Sequence, residues 1–212
     1  NGAYTMEGLM RTYRHTRYAC YLACVTQAII VNLAPLLFVT FQNSYGLSLE
    51  KIGLLISVNF GTQILTDFIC TRIVDRTGFR GPIVLAHALS AVGLVMLSFL
   101  PQVMDPYAGL IVATVVIAVG SGLIEVVSSP ILETLPGEEK AAAMSLMHSF
   151  YCWGHVAVVL GSTAFFLLAG TANWRVLTLI WAAVPVANLF LFVRVPIGTL
   201  VEAGQRERVG KL

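Results

Sequence analysis

Hydrophobic residues in this sequence gather into six long runs, separated by short clusters of Gly, Pro, Asn and charged residues. The runs cover about Tyr18 to Phe41, Leu49 to Ile73, Pro82 to Leu100, Tyr107 to Leu132, Ala141 to Ala169 and Trp174 to Val195. A helix needs about 20 apolar residues to cross the hydrocarbon core of a bilayer, and each run comes close to or exceeds that length. A helix also satisfies its own backbone where no water is present. The pattern therefore predicts an all-α integral membrane protein with a six-helix bundle over 18–196. It leaves 1–17 as an N-terminal segment and 197–212 as the start of a further loop. The connections Asn43-Ser44-Tyr45-Gly46, Asp75-Arg76-Thr77-Gly78, Pro101 to Pro106, Pro136-Gly137-Glu138-Glu139 and Gly170 to Asn173 read as turns.

Composition agrees with the runs. Of 212 residues, 57% are hydrophobic and 11% charged, against about 25% charged in a soluble domain. The charges are also unevenly placed. Arg11, Arg14, Arg17, Arg72, Arg76, Arg80, Lys140, Arg194, Arg206, Arg208 and Lys211 fall on one side of the predicted membrane, and only Lys51 and Arg175 on the other. Positive residues mark the cytoplasmic side, so both termini are expected in the cytoplasm and the protein in the plasma membrane. The four cysteines, Cys20, Cys24, Cys70 and Cys152, lie in or beside apolar runs and read as small packing residues.

Polar groups inside the runs change the picture from a plain anchor to a protein with a polar interior. Run 1 holds Gln27, Asn32 and Pro35; run 2 holds Asn59, Gln63 and Asp67; run 4 holds Glu125; run 5 holds His148, Tyr151 and His155. Run 3 has His87, and runs 3 and 6 otherwise read as apolar supports. The division repeats in each block of three helices, which predicts two three-helix units of inverted topology. Ionising Glu125 in hydrocarbon would cost several kcal/mol, and no Lys or Arg stands in mid-span to pair with it. At about 1.5 Å of rise per residue, Glu125 lies about 12 Å from the cytoplasmic end of its helix. His148 reaches a similar depth and Gln27 about 15 Å. His148, Tyr151, Cys152 and His155 follow helical i, i+3, i+4, i+7 spacing and share one face. Their hydrogen-bonding groups suit a ligand.

Asp75-Arg76-Thr77-Gly78-Phe79-Arg80 resembles the G-x-L-x-D-R-x-G-R-R loop of the major facilitator superfamily, with Thr71 at the leading Gly and Phe79 at one basic position. Asn173-Trp174-Arg175 looks like the same superfamily. Gly120-x-Gly122-x-x-Glu125-x-x-x-Ser129-Pro130, Ser145 to Phe150, Gly154, Asn32-Leu33 and Phe41-Gln42 are similar to the fucose/proton symporter type of sugar transporter. Against that type, Ser129 and Ser145 replace Asn, His148 replaces Gln, and Pro35 stands where the type has a helix 1 acid. The resemblance covers six helices of twelve and implies the N-terminal half of a transporter, partnered by a C-terminal six-helix half.

The resulting expectation is a proton-coupled carrier of a small polar, sugar-like solute. Glu125 is the proton-coupling group. Gln27, Asn32, Glu125, His148, Tyr151 and His155 are the binding residues. Asp75, Arg76, Gly78 and Arg80 form a conformational latch. Asp67 reads as a local partner of Arg72 or a contact to the missing half. The alternatives are a drug or metabolite/proton antiporter and a non-transporting receptor or scaffold. No phosphate-cradling Gly-rich loop with Lys, no Ser/His/Asp set and no basic nucleic-acid patch is present. The reading therefore includes no enzyme, no cofactor, no metal site and no nucleic-acid partner.

Overall fold

The computed structural model describes residues 6–136 and 140–197; at 6–12 and at Asp75 only the backbone is described. The described chain is helical: α1 Met6–Tyr45, α2 Leu49–Thr77, α3 Arg80–Val103, α4 Pro106–Thr134, α5 Lys140–Ala169 and α6 Trp174–Arg194, with a single 3-10 turn at Thr171–Asn173. All six α-helices are long and apolar enough to cross a membrane.

The helix ends depart from the sequence pattern for local reasons. α1 begins at Met6 rather than near Tyr18, because the polar stretch before the apolar run continues the helix outside the membrane. Asp75-Arg76-Thr77, expected as a loop, is the last turn of α2. Nothing in that triplet breaks a helix; Gly78 does, at φ 74 with its N–H on Val74 O. α3 runs through Pro101 to Val103. α4 then opens at once, with Pro106 in its first turn and the Asp105 carboxylate accepting from Ala108 N at 2.9 Å.

The packing has an internal symmetry. α1 lies along α5 as α4 lies along α2, α3 packs on α4 as α6 packs on α1, and α3 meets α6. Exchanging the first three helices for the last three reproduces this scheme. The turn between the second and third helix of each unit carries a left-handed glycine, Gly78 at φ 74 and Gly170 at φ 78. These are the two inverted three-helix units.

Glycines let the helices close. A Cβ on Gly120 would lie 2.6 Å from Ser90 Oγ and 2.9 Å from Ala86 O of α3, and one on Gly122 would lie 2.7 Å from Asp67 Oδ1 and 3.1 Å from Gln63 O of α2. Residues two apart on a helix point to different sides, so the Gly-x-Gly of α4 admits a neighbour on each. Gly154 does the same between α5 and α1, where a Cβ would lie 2.9 Å from Ala28 Cβ.

The supports are not featureless. His87 of α3 is fully buried; its Nδ1 bonds Ile83 O at 2.9 Å and its Nε2 faces Asn188 Nδ2 of α6 at 2.8 Å. Asn188 also donates to Ala19 O of α1 at 3.1 Å. Three helices thus meet at one polar node. Less of α2 and α5 is buried than of the other four helices, and they present exposed Phe60, Ile64, Phe68, Trp153 and Leu160.

Candidate functional site

Glu125 stands on α4 three residues after Gly122. Its helix is brought close enough for α1 and α2 to reach the carboxylate from both sides. Gln27 Nε2 of α1 donates to Glu125 Oε2 at 3.4 Å, and Gln63 Nε2 of α2 donates to the same oxygen. The Gln27 amide is held in turn by Ser121 Oγ, which donates to Gln27 Oε1 at 3.1 Å. Three helices are therefore tied through one carboxylate oxygen. Among the described residues no Lys or Arg pairs with it, as the sequence led us to expect.

Glu125 opens into a cavity of about 370 Å³ whose polar lining includes Gln27, Gln63, Ser128, Ser129, His148 and Tyr151, with Phe60, Ile124 and Met147 as apolar wall. α5 supplies His148 and Tyr151 from the exposed side of Met147 and Gly154, which are buried against the bundle. Four of the six expected binding residues, Gln27, Glu125, His148 and Tyr151, thus share one space.

The other two lie apart from that lining. Asn32 Nδ2 bonds Ala28 O and His155 Nδ1, each at 2.7 Å. His155 packs edge-on against Tyr151 with ring centroids 4.3 Å apart, so it supports a lining residue from behind. With Nδ1 accepting, the remaining proton sits on Nε2, a buried atom without a partner. Cys152, placed by spacing on the same face, is exposed and outside the lining.

Gln63 is the residue that sequence reasoning noted as polar but did not assign to the site. Depth counting gives a level along the membrane, not the neighbour at that level. The signal that finds Gln63 is Gly122, whose missing side chain admits α2. Asp67 is also placed differently from the expected local pair. Its carboxylate turns to Gly122, while the Arg72 guanidinium lies 4.7 Å over the Phe68 ring.

The expected latch residues cluster at the α2–α3 turn. Among the described side chains, Arg80 faces no acid. Its guanidinium donates to Phe192 O at 3.1 Å, Val193 O at 3.0 Å and Val195 O at 2.7 Å, gripping the C-terminal end of α6. Arg76 is exposed and Gly78 makes the left-handed turn; the Asp75 side chain lies outside the described residues.

Two inverted three-helix units that line an open polar cavity define a multi-pass membrane protein of transporter fold. Residues 19–211 match the Major Facilitator Superfamily, and the chain belongs to it. In fold it is similar to the proton:xylose symporter XylE bound to 6-bromo-6-deoxy-D-glucose, at 14% identity and TM-score 0.77, over 90% of this chain and 46% of that one. It is also similar to the inward-open xylose transporter XylE from E. coli, at 16% identity and TM-score 0.69, over 92% and 49%. A POT family transporter in complex with a thioalcohol conjugated peptide matches at 19% identity and TM-score 0.73, over 92% and 42%. The chain spans about half the length of these transporters. No curated protein sequence matches it.

Proposed function

We propose that the chain is the N-terminal six-helix half of a plasma-membrane secondary transporter. In this reading it moves a small, polar, sugar-like solute by proton-coupled alternating access, with Glu125 as the coupling group. The observation that carries it is a carboxylate in a membrane-embedded polar cavity, held by two neutral amides, with no cation on it among the described residues.

The chemistry follows from that arrangement. Hydrogen bonds to an ionised acceptor are about twice as strong as neutral ones. The ionised carboxylate therefore ties α1 and α2 to α4 through Gln27 and Gln63. Adding a proton weakens both bonds together, loosens that tie and frees two amides for a ligand. His148 and Tyr151 offer further donors and acceptors opposite them, which suits a hydroxyl-bearing solute. Asn32 and His155 hold Tyr151 in place rather than meet the ligand. Arg80, with Asp75, Arg76 and Gly78, serves as the latch by fixing the α2–α3 turn to the end of α6. The second wall of the pathway belongs to a C-terminal six-helix half, which the exposed apolar sides of α2 and α5 fit.

The test is uptake by the full-length protein in proteoliposomes, across a panel of sugars, nucleosides and peptides, with and without an inward proton gradient. Gradient-dependent accumulation of a sugar is the expected result. Accumulation of a peptide alone would move the substrate class, and gradient-independent equilibration would remove the proton from the scheme.

A further inference from the structure

Asp67 has no role in the scheme so far, yet it is a second acid beside the Glu125 site. It lies four residues after Gln63, so the two share a face of α2, and that face is the one packed on α4. The fit is close: a Cβ at Gly122 would meet Asp67 Oδ1 at 2.7 Å and Gln63 O at 3.1 Å. The glycine leaves room for a carboxyl and no more.

The hydrogen bonds at this spot do not close. Asp67 Oδ1 and Gln63 Oε1 are both buried, both acceptors, and neither has a donor. Buried polar atoms are nearly always paired, so two orphaned acceptors on one helix face call for an explanation. The titratable groups around Asp67 supply no donor. Cys70 on α2 and Glu125 on α4 are its electrostatic neighbours, with Tyr151 of α5 beyond Glu125. Arg72 is stacked on Phe68, and the titratable groups of α3, Arg80 and His87, are bonded elsewhere. The missing element is a proton. Glu125 has two amide donors; Asp67 Oδ1 has none.

We propose that Asp67 is a second proton-holding residue of the Glu125 site, protonated in the conformation described here, with its hydroxyl providing the donor that Gln63 Oε1 lacks. This rests on the proton-coupled reading and deepens it. The proton on Asp67 orients the Gln63 amide, so that Nε2 is presented to Glu125. Asp67 is thus a positioning residue whose protonation state is read by Glu125 through Gln63. Ionising it would put a second negative charge beside Glu125, its electrostatic neighbour on α4.

The test needs no substrate and so is independent of the transport reading. Full-length protein in lipid nanodiscs is examined at neutral pH by infrared difference spectroscopy for the carboxylic-acid C=O stretch, whose shift on deuteration marks it as an exchangeable acid. Wild type minus Asp67→Asn is expected to show that band, and the band is expected to remain in Glu125→Gln. Asn is isosteric with the protonated acid, so the variant keeps its melting temperature. Gly122→Ala, which presses a methyl on Asp67 Oδ1, shifts the band without removing it. A band absent from wild type, unchanged in Asp67→Asn, or lost in Glu125→Gln instead overturns the proposal.

Discussion

On the α3–α6 side of the bundle, His87, Asn188, Arg80 and Thr16 direct their donors to carbonyls and to each other. Across the bundle, among α1, α2, α4 and α5, Glu125, Gln63, Asp67 and His155 hold polar atoms toward a cavity or leave them orphaned. Both clusters lie in apolar helices of the same length scale, and both tie three helices together. The difference is in what remains unbonded. Among the described residues, the α3–α6 side has two orphans, Asn188 Oδ1 and Arg175 Nε, whereas the open cluster has three, Gln63 Oε1, Asp67 Oδ1 and His155 Nε2. Burial of an unpaired polar group costs about 1–3 kcal/mol, and the open side carries several such costs. A carrier needs one side that stays put and one whose bonds can be exchanged for those of a ligand.

Perturbing the two sides should therefore separate stability from transport. The largest effect is expected at Gly120→Val, which pushes a branched side chain into Ala86 O and Ser90 of α3. Overpacking against backbone costs about 3 kcal/mol, so the yield of monodisperse full-length protein should collapse. Normal yield would mean that α3 and α4 are less closely joined than described.

Arg80→Ala comes next. It removes three donor contacts to the end of α6 and should lower the melting temperature by the equivalent of about 2 kcal/mol. Arg80→Lys, with a point charge in place of a planar fork, should fall between. Neither should alter the pH dependence of uptake in the protein that remains folded.

On the open side the order reverses. Gln63→Ala should leave melting nearly unchanged and reduce proton-driven uptake about tenfold, equivalent to the loss of one charge-assisted bond of about 1.4 kcal/mol. Asn32→Ala should have the smallest effect. Side-chain hydrogen bonds between membrane helices average about 0.6 kcal/mol, so initial uptake rates should change by about threefold or less. A loss as large as that of Gln63→Ala would place Asn32 and His155 in direct contact with the ligand.

The fold was largely legible because hydropathy and breaker residues report span number directly, and repeated polar placement reports the two units. Helix ends were not, since Asp75-Arg76-Thr77 looks like a loop and only Gly78 has a stopping conformation. At the site, depth counting put Gln27, Glu125 and His148 at one level, helical spacing put Tyr151 on the face of His148, and the four line one cavity. Depth counting could not say which helix turns which side to Glu125, so Gln63 was left unassigned. Asn188 was invisible for the opposite reason: a lone amide in an apolar run carries no signal until its partner His87, far away in sequence, is packed against it. Arg80 was singled out for its motif, but its bonds to α6 carbonyls depend on where a later helix ends.

The central claim is that Glu125 couples the proton to the solute, and Glu125→Gln tests it most directly. The variant keeps the shape of the carboxyl but cannot gain or lose the proton. Full-length protein in proteoliposomes should lose gradient-driven accumulation while retaining solute exchange between equal pools inside and outside. Accumulation with wild-type dependence on pH in Glu125→Gln would contradict the account.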